Sequence, residues 1–156
     1  MDRDQIETFI EGAVRYFAHL PSANVEVGAP YLVPNTEPVA FDVSGLVEVS
    51  GKSQGCVYFS AARNLLTEVL ESLGEPDHRE ENLKDVAGEI ANTLSGNARA
   101  EFGSAFEISV PIVMEGCPNM LHLPPDLRSY VIPIEWNKQP AAIGVCVFET
   151  ELGSRQ

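Results

Sequence analysis

The chain has 156 residues, of which 44% are hydrophobic and 21% charged, and its ten Lys and Arg against 23 Asp and Glu give a formal net charge of −13. This length predicts a single domain over residues 1–156, and the hydrophobic content is too high for a disordered chain. A strongly acidic chain repels the phosphates of nucleic acids and the headgroups of anionic lipids. Nucleic-acid binding and membrane-surface functions are therefore poor candidates.

The cysteines and the N-terminus indicate the compartment. Cys56, Cys117 and Cys146 are odd in number and far apart, and the first and last lie within apolar runs. This usage is typical of buried thiols in a reducing compartment. Residues 1–4 are acidic where a secretory signal would be basic, and no apolar stretch approaches the roughly 20 residues that a bilayer span needs. We therefore expect a cytoplasmic protein.

The first half of the chain changes from a helical to a strand period. The N-terminal apolar stripe consists of Ile6, Phe9, Ile10, Ala13, Val14 and Phe17. It predicts an amphipathic helix that begins after Asp4 and ends before Pro21. Between residues 23 and 59 the apolar period becomes two, which predicts three strands, the last two joined as a hairpin.

Two further helices are predicted in the middle of the chain. The first spans residues 61–73 and ends at Gly74. The second is the longest element and runs to Phe102 before Gly103, and its start is marked by Asp77 and Glu80 at the spacing of a capping box. Its apolar sector, which should face a sheet, consists of Leu83, Val86, Ala87, Ile90, Ala91 and Leu94.

Three strands rich in β-branched and aromatic residues are predicted after the third helix, at residues 106–114, 129–136 and 141–148. The order is thus one helix, three strands, two helices and three strands. Helices do not alternate with strands, so a doubly wound parallel sheet is not expected. The order predicts an α+β fold, a mainly antiparallel sheet with helices packed on one face.

Polar residues line up on the third helix opposite its apolar sector. At 100° per residue, Glu89, Asn92 and Gly96 fall within about 40° of Asp85, and we call these four residues the polar ridge. No bulky side chain on this ridge would block a partner. Glu89 and Asn92 are separated by three positions, so their heads can reach one small target together. A solvated helix face has the same pattern, so the spacing alone leaves both interpretations open.

A carboxamide and a carboxylate restrict the chemistry of the ridge. Asn92 can align a water molecule or hold an oxyanion, but it is neither a nucleophile nor a base at neutral pH. Glu89 lies outside any Lys or Arg cluster of the sequence and can pair with a cation of a partner. Hydrolysis of a phosphoaspartate on another protein fits these abilities, because an acyl phosphate is already reactive and chiefly needs a positioned water.

The segment Asp85-Val86-Ala87-Gly88-Glu89-Ile90-Ala91-Asn92 resembles the Asp/Ser-x3-Glu-x2-Asn signature of the CheC/CheX family of chemotaxis phosphatases, which carries it on a long helix. Residues 108–116 resemble the strand of that family with its downstream proline, here Pro111. The 18 residues between Asn92 and Pro111 are fewer than the family pattern usually has. Because the signature occurs once, the chain is similar to the single-site CheX branch, whose members are typically dimers.

The resemblance implies a mechanism and partners. Asn92 would orient the attacking water toward the phosphoaspartate of a CheY-like receiver, and Glu89 would pair with the active-site lysine of that receiver. Asp85, Gly96 and Pro111 would support this pair. The chain would need no cofactor of its own, because Mg²⁺ would belong to the receiver. A homodimer is expected, with the apolar strands at 129–136 or 141–148 as candidates for a sheet-edge contact.

Two other functions stay open. A module of the same fold would bind a receiver or another partner without accelerating hydrolysis. An esterase would use Ser53, because Gly51-Lys52-Ser53-Gln54-Gly55 satisfies the G-x-S-x-G of a hydrolase nucleophile elbow. Such an elbow runs from a strand into a helix, however, and this segment runs into an apolar strand, which favours a hairpin turn. No metal site is predicted, since no two histidines have metal-ligand spacing.

Overall fold

The computed structural model describes residues 1–21, 24–103, 106–119 and 121–149. The helices in these ranges are α1 (Arg3–Ala18), α2 (Arg63–Ser72) and α3 (Glu80–Phe102). The strands are β1 (Val25–Val27), β2 (Tyr31–Pro34), β3 (Val43–Ser50), β4 (Ser53–Ala61), β5 (Glu107–Ile108), β6 (Ile112–Glu115), β7 (Arg128–Trp136) and β8 (Gln139–Glu149). None of the helices in the described ranges has the length and apolar character that a membrane crossing requires.

The described strands form one antiparallel sheet in the order β1-β7-β8-β4-β3-β5, with β2 also beside β7 and β6 also beside β3. The β3–β4 hairpin turns through Gly51 and Lys52, and Gly51 has a φ of 101°. Glycine adopts this conformation without steric cost, which favours it in a tight turn. The predicted hairpin is confirmed, and Ser53 begins a strand rather than a helix.

The three helices pack on one face of the sheet, and the α+β prediction is confirmed. Alternate residues of the central strands meet all three helices in one buried cluster, and the six predicted apolar residues of α3 belong to it. Phe17 of α1 packs against Phe59 of β4 and Trp136 of β7, with ring centroids 6.3 and 5.6 Å apart. A smaller cluster on the opposite face contains Leu46, Cys56, Tyr58, Leu123 and Cys146.

The N-termini of all three helices differ from the prediction. α2 begins at Arg63, since β4 continues through Ala61. α1 begins at Arg3, because Asp2 and Gln5 form a capping box there. α3 begins at Glu80, and the predicted capping box of Asp77 and Glu80 is absent. The Asp77 carboxylate instead pairs with the adjacent guanidinium of Arg79 at 2.7 Å, and Glu80 pairs with Arg63 of α2 at 2.9 Å. Both carboxylates therefore pair with arginines, and the capping-box spacing takes no account of such competing partners.

The strand predictions need three corrections. β2 was not predicted, since its sequence ends in Pro34 and lacks a clear alternation. The single strand expected at 106–114 is instead two short strands, β5 and β6, separated by residues 109–111. Pro111 in this gap has no N–H to donate to the ladder. β7 and β8 are interior strands, because β8 lies between β4 and β7, and β7 lies between β8 and β1. The expectation that they offer a sheet edge for dimer contact is wrong.

Two of the three cysteines are buried as predicted, and the third is not. Cys56 and Cys146 are buried and lie directly opposite each other on β4 and β8. Cys117 is exposed and lies after the end of β6 rather than in a strand. All three cysteines are free.

Candidate functional site

The polar ridge lies on the solvent side of α3. Asp85, Glu89 and Asn92 are exposed and Gly96 is half-buried, while residues on the other side of this helix are completely buried against the sheet. Glu89 and Asn92 are three residues apart, which corresponds to about 4.5 Å along the helix axis. Their side-chain heads can therefore converge on one group of a partner.

Pro111 lies beside the ridge. A Cβ added at Gly88, the residue before Glu89, would be 2.8 Å from Cγ1 of Val113 and 3.1 Å from Cβ of Pro111. β6 follows Pro111 and pairs with β3, so this pairing brings the proline against α3. The short sequence spacing between Asn92 and Pro111 therefore still places the proline next to the ridge.

A groove of about 350 Å³ borders the ridge on the side of α1. We call it the α1–α3 groove. Its lining residues are Arg15, Tyr16, His19, Leu20, Leu73, Glu89, Thr93 and Asn97. Glu89 belongs to both the ridge and the groove, so a molecule that binds this carboxylate also lies next to the groove.

Tyr16 is the half-buried aromatic residue of the α1–α3 groove. Burial, followed by the negative charge of Glu89, raises the pKa of the Tyr16 phenol to about 12. The hydroxyl is protonated at neutral pH, as that of an ordinary tyrosine is, and the raised pKa keeps it a hydrogen-bond donor to a higher pH. Sequence reasoning missed Tyr16, since no local spacing relates a residue of α1 to Glu89.

A cavity of about 530 Å³ lies elsewhere and contains Ser53, the candidate nucleophile of the esterase hypothesis. Among the described residues that line it, which include Lys52, Phe102 and Phe148, there is no histidine to act as a base for the serine. It contains none of the ridge residues. The geometry of a nucleophile elbow is absent, because Ser53 lies at the start of β4.

No group of three His, Cys, Asp or Glu side chains in the described ranges is arranged to hold a metal ion. The functional groups that the ridge offers are the carboxylates of Asp85 and Glu89 and the carboxamide of Asn92. Such a surface can position a water molecule and bind a cation.

A family model described as chemotaxis phosphatase CheX matches residues 43–135, which is more than half of the chain. The chain therefore belongs to the CheX family. The matched range contains the whole of α3 with its ridge, and also Pro111. The resemblance inferred from the signature is confirmed at the level of the family.

Solved structures of the same fold come from several bacteria. A CheC-like superfamily protein from Shewanella sp. PV-4 has 25% identity over 95% of this chain and 99% of that one, with a TM-score of 0.78. Chemotaxis protein CheX from Vibrio vulnificus has 24% identity over 93% and 99%, with a TM-score of 0.75. The CheX–CheY–BeF₃–Mg²⁺ complex from Borrelia burgdorferi matches at 19% identity over 95% and 100%, with a TM-score of 0.73. A comparison with curated protein sequences gave no match.

Proposed function

We propose that this protein hydrolyses the phosphoaspartate of a CheY-like response-regulator receiver. The observation that carries the proposal is the exposed pair Glu89 and Asn92, one helical turn apart at the spacing of the family signature. Neither side chain has a hydrogen bond or ion pair to another described residue, so both heads are available to a partner. Membership of the CheX family and the CheX–CheY complex of Borrelia burgdorferi support a receiver as that partner.

Asn92 would position the attacking water. Its carboxamide oxygen accepts a hydrogen bond from the water, and its amino group donates to an oxygen of the phosphoryl group. The water attacks phosphorus in line, the bond between phosphorus and the aspartate oxygen breaks, and the products are a free carboxylate and inorganic phosphate. Because the acyl phosphate is reactive, positioning and charge compensation account for the acceleration.

Glu89 would anchor the receiver by pairing with its active-site lysine. The Mg²⁺ that compensates the phosphoryl charge would be the receiver's own, and Asp85, Gly96 and Pro111 would shape the surface around the pair. A bare Gly96 and the compact ring of Pro111 leave room for the receiver to approach α3 closely. This mechanism needs no cofactor held by the CheX-family chain.

A phosphate-release assay tests the proposal. A CheY-like receiver from the same genome is phosphorylated with a small-molecule phosphodonor and Mg²⁺, and inorganic phosphate is followed with and without the protein. The expected result is faster release that depends on the protein concentration. Binding to the receiver without faster release would favour the non-catalytic module, and absence of both would contradict the proposal.

We also propose that the protein is a cytoplasmic homodimer, as implied by its similarity to the single-site branch. In the described part of the sheet, the outer strands are β1 and β2 on one side and β5 and β6 on the other, so an edge contact would use one of these sides. Light scattering should give a mass of twice 17.0 kDa. A monomer at tens of micromolar, on the order of the usual measuring concentration, would contradict the dimer without affecting the catalytic proposal.

A further inference from the structure

We propose that the α1–α3 groove binds a surface segment of the receiver in which an apolar side chain lies next to a carboxylate. The inference rests on the proposed function and adds a second point of attachment to it. Arg15 and Leu73 would then determine which receivers bind, while Asn92 would perform the chemistry.

Continuity with the ridge is the first argument. Glu89 lines the α1–α3 groove, so a receiver whose lysine reaches this carboxylate must place neighbouring residues over the groove. The two sites are joined at one side chain, and contact with one brings a partner of protein size over the other. The groove volume of about 350 Å³ is enough for side chains but not for a folded element.

The wall of the groove is the second argument. Leu73, which follows the last turn of α2, has 53% of its surface exposed, and it faces the same groove as the half-buried ring of Tyr16. An apolar side chain of the receiver that enters between them would remove this surface from water, which is favourable in proportion to the apolar area buried. An apolar residue on the partner therefore fits this wall.

Charge at the rim is the third argument. Arg15 lies in the last turn of α1, and among the described residues it forms no ion pair. His19 is on the same side, and its Nδ1 donates to the carbonyl oxygen of Arg15 at 2.7 Å, which fixes the ring. Four other basic side chains, by contrast, have acidic partners in the fold: Arg63, Arg79, Lys84 and Arg99. Because Arg15 is not engaged in this way, its guanidinium at the rim of the α1–α3 groove complements a carboxylate of a partner.

The two charges of opposite sign define an orientation. Glu89 attracts the receiver lysine, and Arg15 attracts a receiver carboxylate on the groove side. A receiver in the reverse orientation would bring its lysine toward Arg15 and its carboxylate toward Glu89, and both contacts would be repulsive. The groove would thus select receivers that carry an acid beside the apolar residue, and it would do so without contacting the phosphoryl group.

The test measures steady-state phosphate release with Arg15→Glu and Leu73→Ala. We expect KM for the phosphorylated receiver to rise roughly 3- to 10-fold for each variant, with kcat within about twofold of wild type. Arg3→Glu is the matched charge control, because Arg3 is also exposed, lies in the first turn of the same helix and lines a different cavity. Leu32→Ala is the matched apolar control, since Leu32 is 46% exposed on β2. Circular dichroism checks that each variant is folded.

The outcomes separate this inference from the proposed function. If wild type neither binds the receiver nor accelerates phosphate release, the proposed function fails, and this inference fails with it. If wild type is active and both groove variants keep its KM, the groove proposal is overturned and the proposed function stands. An equal rise in KM for Arg3→Glu would also overturn it, because net charge rather than the groove would then explain the effect.

Discussion

Gly45 of β3 lies directly against the backbone of Ala87 in α3. A Cβ added at Gly45 would come within 2.5 Å of the Ala87 carbonyl oxygen, and a helix backbone cannot move aside as a flexible side chain does. Gly45 also pairs with Val113 of β6, which itself contacts Gly88. The distance of α3 and its polar ridge from the sheet therefore depends on glycine at positions 45 and 88, where a larger residue would not fit.

Gly45→Ala should destabilise the protein by about 1–3 kcal/mol, because the added methyl forces α3 away from β3. Gly96→Ala is the contrasting variant, since nothing lies within 4 Å of an added Cβ there. It should stabilise the protein by up to about 1 kcal/mol through helix propensity. Urea unfolding of both variants measures the difference. Equal stability of Gly45→Ala and wild type would mean that the close approach of α3 to β3 is not tight in solution.

Asn92→Ala should lower kcat for phosphate release by about 100-fold or more, because water positioning is lost from the transition state. Binding to a receiver with Mg²⁺ and a beryllium fluoride mimic of the phosphoryl group should be nearly unchanged. Asn64→Ala is the matched control, since it removes the same side chain from an exposed position of α2 that belongs to neither the ridge nor the α1–α3 groove. Unchanged turnover in Asn92→Ala would exclude this residue as the one that positions water.

Glu89→Gln should weaken receiver binding about tenfold and lower turnover with it, because the partner of the receiver lysine loses its charge. The variant should also lose the part of the salt dependence that comes from this ion pair. Glu101→Gln provides the control for net charge, since Glu101 is another exposed acid of α3 outside the ridge. The same salt slope in wild type and Glu89→Gln would contradict docking through this carboxylate.

The helical period of the third helix was sufficient to predict both its buried sector and its exposed ridge. Local patterns failed where the deciding partner is distant in sequence. Glu80 was expected in a capping box, but its carboxylate pairs with Arg63, which belongs to a different helix. Tyr16 and Glu89 line one groove because α1 packs beside α3, and the sequence pattern of neither helix contains that information. Strand order likewise depends on pairing between segments that are distant in sequence. The interior position of β8 could therefore not be predicted from its apolar content.

Alkaline pH should destabilise the protein. Burial, then the charge of Glu89, raises the pKa of Tyr16 to about 12, and burial also raises the pKa values of Tyr58 and Cys56 well above their ordinary values. In the unfolded chain these groups lose their protons near pH 9–10, whereas the folded chain retains them. The unfolded state then binds fewer protons, so stability that is fully present below about pH 9 is lost as the pH rises toward 12.

Tyr16→Phe should reduce this alkaline loss, because it removes one of the groups that titrate differently in the two states. Each such group contributes a slope of at most about 1.4 kcal/mol per pH unit. The free energy of unfolding in urea, measured from about pH 8 to pH 11, gives the slope for both proteins. Tyr58→Phe is a less direct test, since it also removes the hydrogen bond to the Val39 carbonyl at 2.9 Å. An identical slope in wild type and Tyr16→Phe would contradict the raised pKa of Tyr16.

The net charge of −13 should make the association with a receiver respond unusually to salt. A receiver with an acidic phosphorylation pocket is repelled at long range, and salt screens this repulsion over a Debye length of about 8–10 Å. Salt also weakens the attraction of Glu89 for the receiver lysine, but that contact is short and partly shielded once formed. The long-range repulsion therefore responds first.

The association rate with the phosphorylated receiver should consequently rise modestly, or stay constant, between low and physiological salt. Arg15→Glu should show a steeper rise, because it replaces an attractive charge at the rim of the α1–α3 groove with a repulsive one. Stopped-flow association across this range, with Arg3→Glu as the control of equal net charge, measures both effects. A steep fall in rate for wild type would indicate a strongly basic partner, and a CheY-like receiver with an acidic pocket would then be the wrong substrate.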